Sequence, residues 1–271
     1  MNTSEKAFVK AVYAYYKKEG RHDLAWRQTT NPYKIAVSEV MLQQTQVSRV
    51  KEKYKEFLKL FPTAKALATA SLADVLKVWT GLGYNRRAKF LKAMAETVTT
   101  EYKGVFPKTV RELEALPGVG HYTARAIATF AYNTAHTFIE TNIRTVYMHH
   151  FFPESEELVD DKVLMPIIEA TLDTKNPREW YWALMDYGSF LKTSGVKIHR
   201  NSAQYKKQSP LKGSVREVRG AIIKVLAHNP HTTTALRKKV SFDTPRYNTA
   251  LAQLVTENLI EKKGNTYQIK S

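Results

Sequence analysis

Two carboxylates and one glycine hairpin supply most of the chemistry open to this sequence. Glu39 stands in Ala36-Val37-Ser38-Glu39-Val40-Met41-Leu42, among residues of core type, and Gln43, Gln44, Thr45 and Gln46 follow it. Glu140 stands in Ile139-Glu140-Thr141-Asn142-Ile143, between two apolar segments. A carboxylate in apolar company is costly to bury unless it is paired or used. Burial also raises its proton affinity, as a general acid working near neutral pH needs. Either glutamate could equally be a solvent-facing helix position. The hairpin is Leu116-Pro117-Gly118-Val119-Gly120. Its glycines allow a tight turn and close approach of the backbone to a partner. The helix predicted over 123–132 then begins with exposed N–H groups and the positive end of its dipole, a seat for phosphate. A plain helix–helix turn explains the same five residues.

The elements that must position these groups are nearly all helical. Phe8, Val9, Val12, Tyr13 and Tyr16 fall near helical spacing, as do Ile35, Val37, Val40, Met41 and Val47, and again Leu91, Met94, Ala95 and Val98. Proline and glycine punctuate the chain at Pro32, Pro62, Gly81, Gly83, Pro107, Pro153 and Pro177. Alternating strand patterns are nearly absent before residue 260, so an all-α body is expected. Residues 192–214 are polar, basic and rich in turn formers and read as a linker or arm. Helices are then predicted over 215–227, 233–240 and 245–258. A hairpin about Gly264-Asn265 closes the chain, and three helices with a two-stranded wing outline a winged helix-turn-helix.

Composition narrows the partners. The 271 residues hold 42 Lys and Arg against 25 Asp and Glu, a net charge of +17, which points to a polyanion such as nucleic acid. The surplus is concentrated: residues 192–271 carry 16 basic and 4 acidic side chains, an excess of 12. Without a cysteine, the chain can form no disulfide, thiolate zinc site, thiol nucleophile or cysteine-bound iron–sulfur cluster. No apolar run suits export or membrane spanning, so an intracellular protein of the cytoplasm or nucleoid is expected. His149-His150 is a poor metal pair, because adjacent helical side chains diverge and no third ligand is spaced nearby.

Taken together, NPYKIAVSEVMLQQTQV (31–47), VWTGLGYNRRA (78–88), LPGVGHYTARAIATFAY (116–132), TNIRTV (141–146) and MDYGSF (185–190) resemble the helix-hairpin-helix DNA glycosylases, most closely the adenine DNA glycosylases. The resemblance spans about residues 5–190. It implies that Glu39 is the catalytic acid, protonating the purine at N7 and then helping to activate water. It implies that Glu140 replaces the family's catalytic aspartate, stabilising the oxocarbenium ion, with Asn142 holding carboxylate and water. Tyr122 stands where relatives with a lyase step carry a Schiff-base lysine, so a monofunctional hydrolase is implied. Gln44 and Tyr84 match residues that enter the duplex when the target base is turned out. Trp26 and Arg27 match a base pocket in which Arg27 bonds the extruded adenine. Pro117, Gly118, Val119, Gly120, His121 and Thr123 would contact DNA, and the basic arm adds Lys206 and Lys207. The main-chain carbonyls of Glu114, Leu116 and Val119 would hold a sodium or potassium ion, the one cofactor implied.

The architecture expected is therefore all-α: a two-domain glycosylase core followed by a winged-helix-like module. One domain comprises 1–28 with 134–191, a second the helical barrel 29–133, then come the linker 192–214 and the module 215–271. The partner is double-stranded DNA with a mispaired or damaged base, adenine opposite 8-oxoguanine or guanine, engaged by a monomer. Three departures from the family stand out: glutamate for aspartate at 140, the missing cluster cysteines (the first falling near Lys192), and residues 215–271, which do not look like the β-rich domain that reads 8-oxoguanine. Two alternatives remain, a mismatch uracil or thymine glycosylase of the same fold and a catalytically silent DNA-binding protein.

Overall fold

A computed structural model of the chain describes residues 1–155 and 157–270. In chain order the helices are α1 (Thr3–Glu19), α2 (Pro32–Leu42), α3 (Val47–Leu60), α4 (Ala64–Thr69), α5 (Leu72–Trp79), α6 (Arg86–Thr100), α7 (Val110–Glu114), α8 (His121–Tyr132), α9 (Thr141–Phe151), α10 (Asp161–Thr171), α11 (Pro177–Thr193) and α12 (Val215–Leu226). The strand β1 (His231–Thr232), helices α13 (Thr233–Lys239) and α14 (Thr244–Thr256), and strands β2 (Ile260–Lys263) and β3 (Thr266–Ile269) follow. The architecture is the expected all-α one. The chain forms two compact units: residues 1–35, 108–114 and 119–207 make the first, and 36–107, 115–118 and 208–271 the second.

In the first unit α1 starts with a reciprocal capping box between Asn2 and Glu5, which satisfies two end donors at once. Its buried stripe is Phe8, Val12 and Tyr16, four residues apart, so one face meets the core. Phe8 packs edge-on to Trp180 of α11 at 5.9 Å and against Tyr147 of α9 at 4.9 Å. Proline at the first position of α11 forgoes an N–H that has no partner there in any case. Part of the basic segment after α11 is built into this unit. Val159 donates to the Asn201 carbonyl at 2.8 Å, Ala203 donates to Val159 at 3.0 Å, and Ser202 is buried.

The second unit surrounds the apolar faces of α3, α5 and α6. Phe57 meets Trp79 edge-on at 6.0 Å, and Leu91, Met94, Ala95 and Val98 supply the buried stripe of α6. Thr63 and Ser71 cap α4 and α5 through their hydroxyls, which is why these short helices start where they do. Val47 belongs to α3, not to the helix of Ile35–Met41 with which its spacing groups it. The chain turns between them at Gln44, which adopts φ +54°.

The C-terminal module of this unit buries Val218, Ile222, Ile223 and Leu226 of α12 together with Leu236, Tyr247 and Leu254, and α12 packs against α13 and α14. Its sheet runs in the order β1-β3-β2, all antiparallel, with Lys263 opposite Thr266 across a turn whose Gly264 takes φ +59°. The wing thus has three strands where the sequence pattern marks two, because the two residues of β1 are too short for any alternation to register.

Candidate active site

Glu140 is the N-cap of α9. Its Oε1 accepts from the backbone N–H of Asn142 at 2.8 Å and of Ile143 at 2.9 Å, and its Oε2 accepts from the Asn142 side-chain amide at 3.2 Å. Three N–H groups and the positive end of a helix fix one carboxylate, a role usually taken by shorter side chains. Glutamate fills it here by folding back onto the first turn. The result is a negative charge of fixed orientation that can stabilise a nearby cation without reorganising. α11 closes on this cap through Gly188: a Cβ there would lie 2.2 Å from the Asn142 carbonyl oxygen. One helical turn further on is Lys192, half-buried, whose pKa burial lowers while the charge of Glu140 opposes that shift.

Tyr122, in the first turn of α8, packs edge-on to Phe138 at 5.6 Å. Gly120 caps α8, so the helix starts at His121, two residues before the predicted start. Thr123 and Val119 are buried, whereas His121 is exposed, with Nδ1 2.8 Å from Arg125 and 3.1 Å from Glu114. Glu114 also accepts from Arg125 at 2.6 Å, so its side chain is occupied within the protein. Gly118 adopts φ +75°, and a Cβ there would sit 2.4 Å from that of Phe90, so steric space and backbone conformation both require glycine. Pro117 is half-buried, and Lys206 and Lys207 are exposed.

Trp26 and Arg27 lie in a buried 3-10 turn, Ala25–Arg27. In this structure the guanidinium of Arg27 is bound to a carboxylate of the same unit. It grips Asp186 with two bonds of 2.7 and 2.8 Å and donates a third to the Arg21 carbonyl at 3.2 Å. With side-chain exposures of 4% and 2%, this is a buried ion pair that engages both Nη atoms of Arg27, while its Nε is buried without a partner among the described residues. Burial pushes the Asp186 pKa up, but hydrogen bonds and charge from Arg27 and Arg21 outweigh it, leaving it below the ordinary carboxylate range.

A carboxyl whose pKa is depressed by folding contributes stability that is complete above the unfolded value near 4 and fades as pH falls through the folded value. Thermal unfolding should therefore show a loss of stability below about pH 4 that is smaller in Asp186→Asn, where the share of other lowered carboxyls such as Asp173 remains. At pH 7 that variant should be less stable by about 3 kcal/mol, because Arg27 is left buried without its countercharge.

Glu39 is 7% exposed on α2, in the second unit. Gln44 and Tyr84, in the same unit, are the tips of two loops, and both take left-handed backbone at φ +54° and +48°. Such conformations strain residues other than glycine and persist only where surrounding structure enforces them. The enforcing group is Arg87, which composition and spacing left unnoticed. Its Nη1 donates to the carbonyls of Val40, Met41 and Gln43 at 2.8, 2.9 and 2.6 Å. Its Nη2 donates to the carbonyls of Leu82 and Gly83 and to the Thr45 hydroxyl at 3.0 to 3.1 Å. One fork thus ties the loop after Glu39 to the loop carrying Tyr84. Burial pulls its pKa down to about 10, which leaves it protonated at neutral pH. The one available sign was its place within TGLGYNRRA, directly after a glycine turn.

Among the described residues no group of three or more His, Cys, Asp or Glu could hold a metal ion. No described helix is long and apolar enough to cross a membrane. His150 is turned to the Tyr187 hydroxyl at 3.1 Å.

Comparison with solved structures places this architecture among DNA glycosylases. The structure of a thermostable thymine-DNA glycosylase is 25% identical, with a TM-score of 0.64 over 75% of this chain and 97% of that one. A trapped endonuclease III–DNA covalent intermediate, 19% identical with a TM-score of 0.55 over 78% of this chain and 91% of that one, shares the fold. Residues 37–165 match the HhH-GPD superfamily base excision DNA repair proteins. The adenine DNA glycosylase of Mycolicibacterium smegmatis is 34% identical over 90% of both chains. That of Buchnera aphidicola from Baizongia pistaciae is 33% identical over 68% of this chain and 52% of its own length, so the chain spans about half of that relative. The chain belongs to the HhH-GPD superfamily of base excision DNA repair proteins and is a DNA glycosylase.

Proposed function

We propose that this chain hydrolyses the N-glycosidic bond of adenine mispaired with 8-oxoguanine or guanine in duplex DNA, without an efficient lyase step. The observation that carries the chemistry is the Glu140 carboxylate, immobilised by three N–H donors at the N-terminus of α9. The choice of base rests on the relatives that bear the adenine glycosylase name, at 30 to 37% identity. Glu39 gives a proton to N7 of the extruded purine. The C1′–N9 bond then breaks with its electron pair leaving on the base. The sugar cation faces the Glu140 carboxylate until water adds at C1′ and loses a proton. Tyr122 supplies no amine, so no imine forms there. Gln44 and Tyr84 enter the stack that the base vacates.

Lys206, Lys207 and the surface of the hairpin grip phosphate, and the carbonyls of Glu114, Leu116 and Val119 hold a monovalent cation. We assign no iron–sulfur cluster, since no cysteine exists to bind one. The protein acts as a monomer on chromosomal DNA inside the cell.

Duplexes bearing A:8-oxoG, A:G, U:G and T:G, incubated with the protein and then treated with alkali, separate the possibilities. Breaks at adenine are the outcome expected. Breaks at uracil or thymine alone would move the substrate toward that of the thymine-DNA glycosylase neighbour. Tight binding without any break would remove the enzymatic reading.

A further inference from the structure

The C-terminal module is not a bystander to the loop that carries Tyr84. Tyr84 is 38% exposed, yet its phenol is held from several sides within the second unit. Arg216, in the first turn of α12, donates from Nη1 to the Tyr84 hydroxyl at 2.8 Å, and its guanidinium carbon lies 5.8 Å from the ring centre. Arg87 lies 5.5 Å from the same ring. Gln208 donates from Nε2 to the Tyr84 hydroxyl and to the Gln44 side-chain oxygen, the latter at 3.3 Å. Arg216 is itself braced: Nη2 donates to the carbonyl of Ser209 at 2.6 Å. α12 is seated on this unit rather than tethered to it, because it packs against α5, and Lys89 of α6 donates to the Glu257 carbonyl at 2.7 Å.

A tyrosine in strained left-handed backbone, with its ring near two guanidinium groups and its hydroxyl bonded, is preset in one rotamer. Presetting matters for a side chain that must enter a base stack, since a free rotamer loses entropy at that moment and a fixed one has lost it already. We propose that Arg216 is a positioning residue: the winged module holds the Tyr84 side chain in its insertion-ready rotamer through the Arg216–hydroxyl bond, coupling the C-terminal module to base eversion. This rests on the reading of Tyr84 as the residue that enters the duplex. The alternative for an arginine in so basic a module is a phosphate contact, which makes a different prediction: loss of affinity for every duplex and a salt slope reduced by about one.

The test uses the full chain and a duplex with 2-aminopurine beside the mispair, whose fluorescence rises when a side chain enters the stack whether or not any base is released. Arg216→Gln is expected to cut the fluorescence rise on saturated duplex by about 5- to 20-fold, inside the roughly 2- to 160-fold span of couplings between groups in contact. Affinity for undamaged duplex and its salt dependence should stay as in the parent. Tyr84→Phe, which keeps the ring and removes the hydroxyl that Arg216 and Gln208 share, should cause a fall at least as large, and the double variant should be no worse than Tyr84→Phe. The far-ultraviolet spectrum and melting temperature of each variant check that it folds.

Equal fluorescence in Arg216→Gln and parent would overturn the proposal. So would additive losses in the double variant, a fall in affinity with a shallower salt slope, or no rise with the parent protein. Base release by the parent is measured on the same duplexes. An active parent with an indifferent Arg216→Gln refutes this inference alone, whereas a parent that everts the base but never releases it refutes only the glycosylase reading.

Discussion

Glu39→Gln is expected to abolish adenine release in single-turnover assays, with a fall of at least about 10²-fold, the lower end of what a positioned proton donor contributes. Binding to an uncleavable A:8-oxoG duplex should change by less than about threefold, since the substitution is isosteric and removes no phosphate contact. The argument is chemical. Adenine leaves poorly as an anion, so the barrier depends on a proton arriving at its ring nitrogen as the C1′–N9 bond opens. A buried carboxyl can deliver that proton near neutral pH, and an amide cannot. Glu39 is 7% exposed on a helix whose neighbours Val37, Val40 and Met41 are buried as well. If the glutamine variant kept its rate, the proton would come from elsewhere, and Glu39 would serve only the packing of α2.

Arg87→Ala should have the largest effect on the fold of any single substitution considered. It removes a guanidinium whose four Nη hydrogens are shared among five backbone carbonyls and one hydroxyl; the Gly83 carbonyl keeps Trp79, but the others lose their charged donor and a cavity opens in their midst. Each unsatisfied buried group costs about 1–3 kcal/mol, with partial relief from water, so a net loss of about 3 kcal/mol or more is expected. In a scanning measurement this is a fall of about 5–10 °C in Tm. Arg87→Lys should recover only part of it, because an ammonium keeps the charge but cannot span the fork. The lysine variant, being better folded, should still release adenine more slowly than the parent at saturating DNA. Its loops at Gln44 and Tyr84 no longer have one group to enforce their left-handed backbone. A lysine variant with parental stability and rate would show that these loops hold themselves.

Much of the molecule could be read before its fold was known, and the reason is local. Helical periodicity at Phe8, Val12 and Tyr16, and at Leu91, Met94, Ala95 and Val98, records which face each helix buries, and those faces are the buried ones. The C-terminal module follows the same logic, with helices and turn where propensity and the Gly264-Asn265 pair put them. Glu39, Glu140 and the LPGVG hairpin stand out because their types conflict with their surroundings, and such conflict is visible in one dimension. Family resemblance added roles that periodicity could not assign.

What only the tertiary structure decided is where the long cationic side chains end up. An arginine reaches several ångströms from its own backbone, so its partner depends on which distant segments fold beside it. Arg27, placed in a base pocket by resemblance, spends its fork on Asp186, 159 residues away. Arg87, inconspicuous within a basic pair, organises two loops, and Arg216 is directed at Tyr84, 132 residues away. Sequence spacing encodes which face of a helix is apolar. It carries no record of which carbonyls a guanidinium finds when two loops close over it, and in this protein those closures preset the residues proposed to meet DNA.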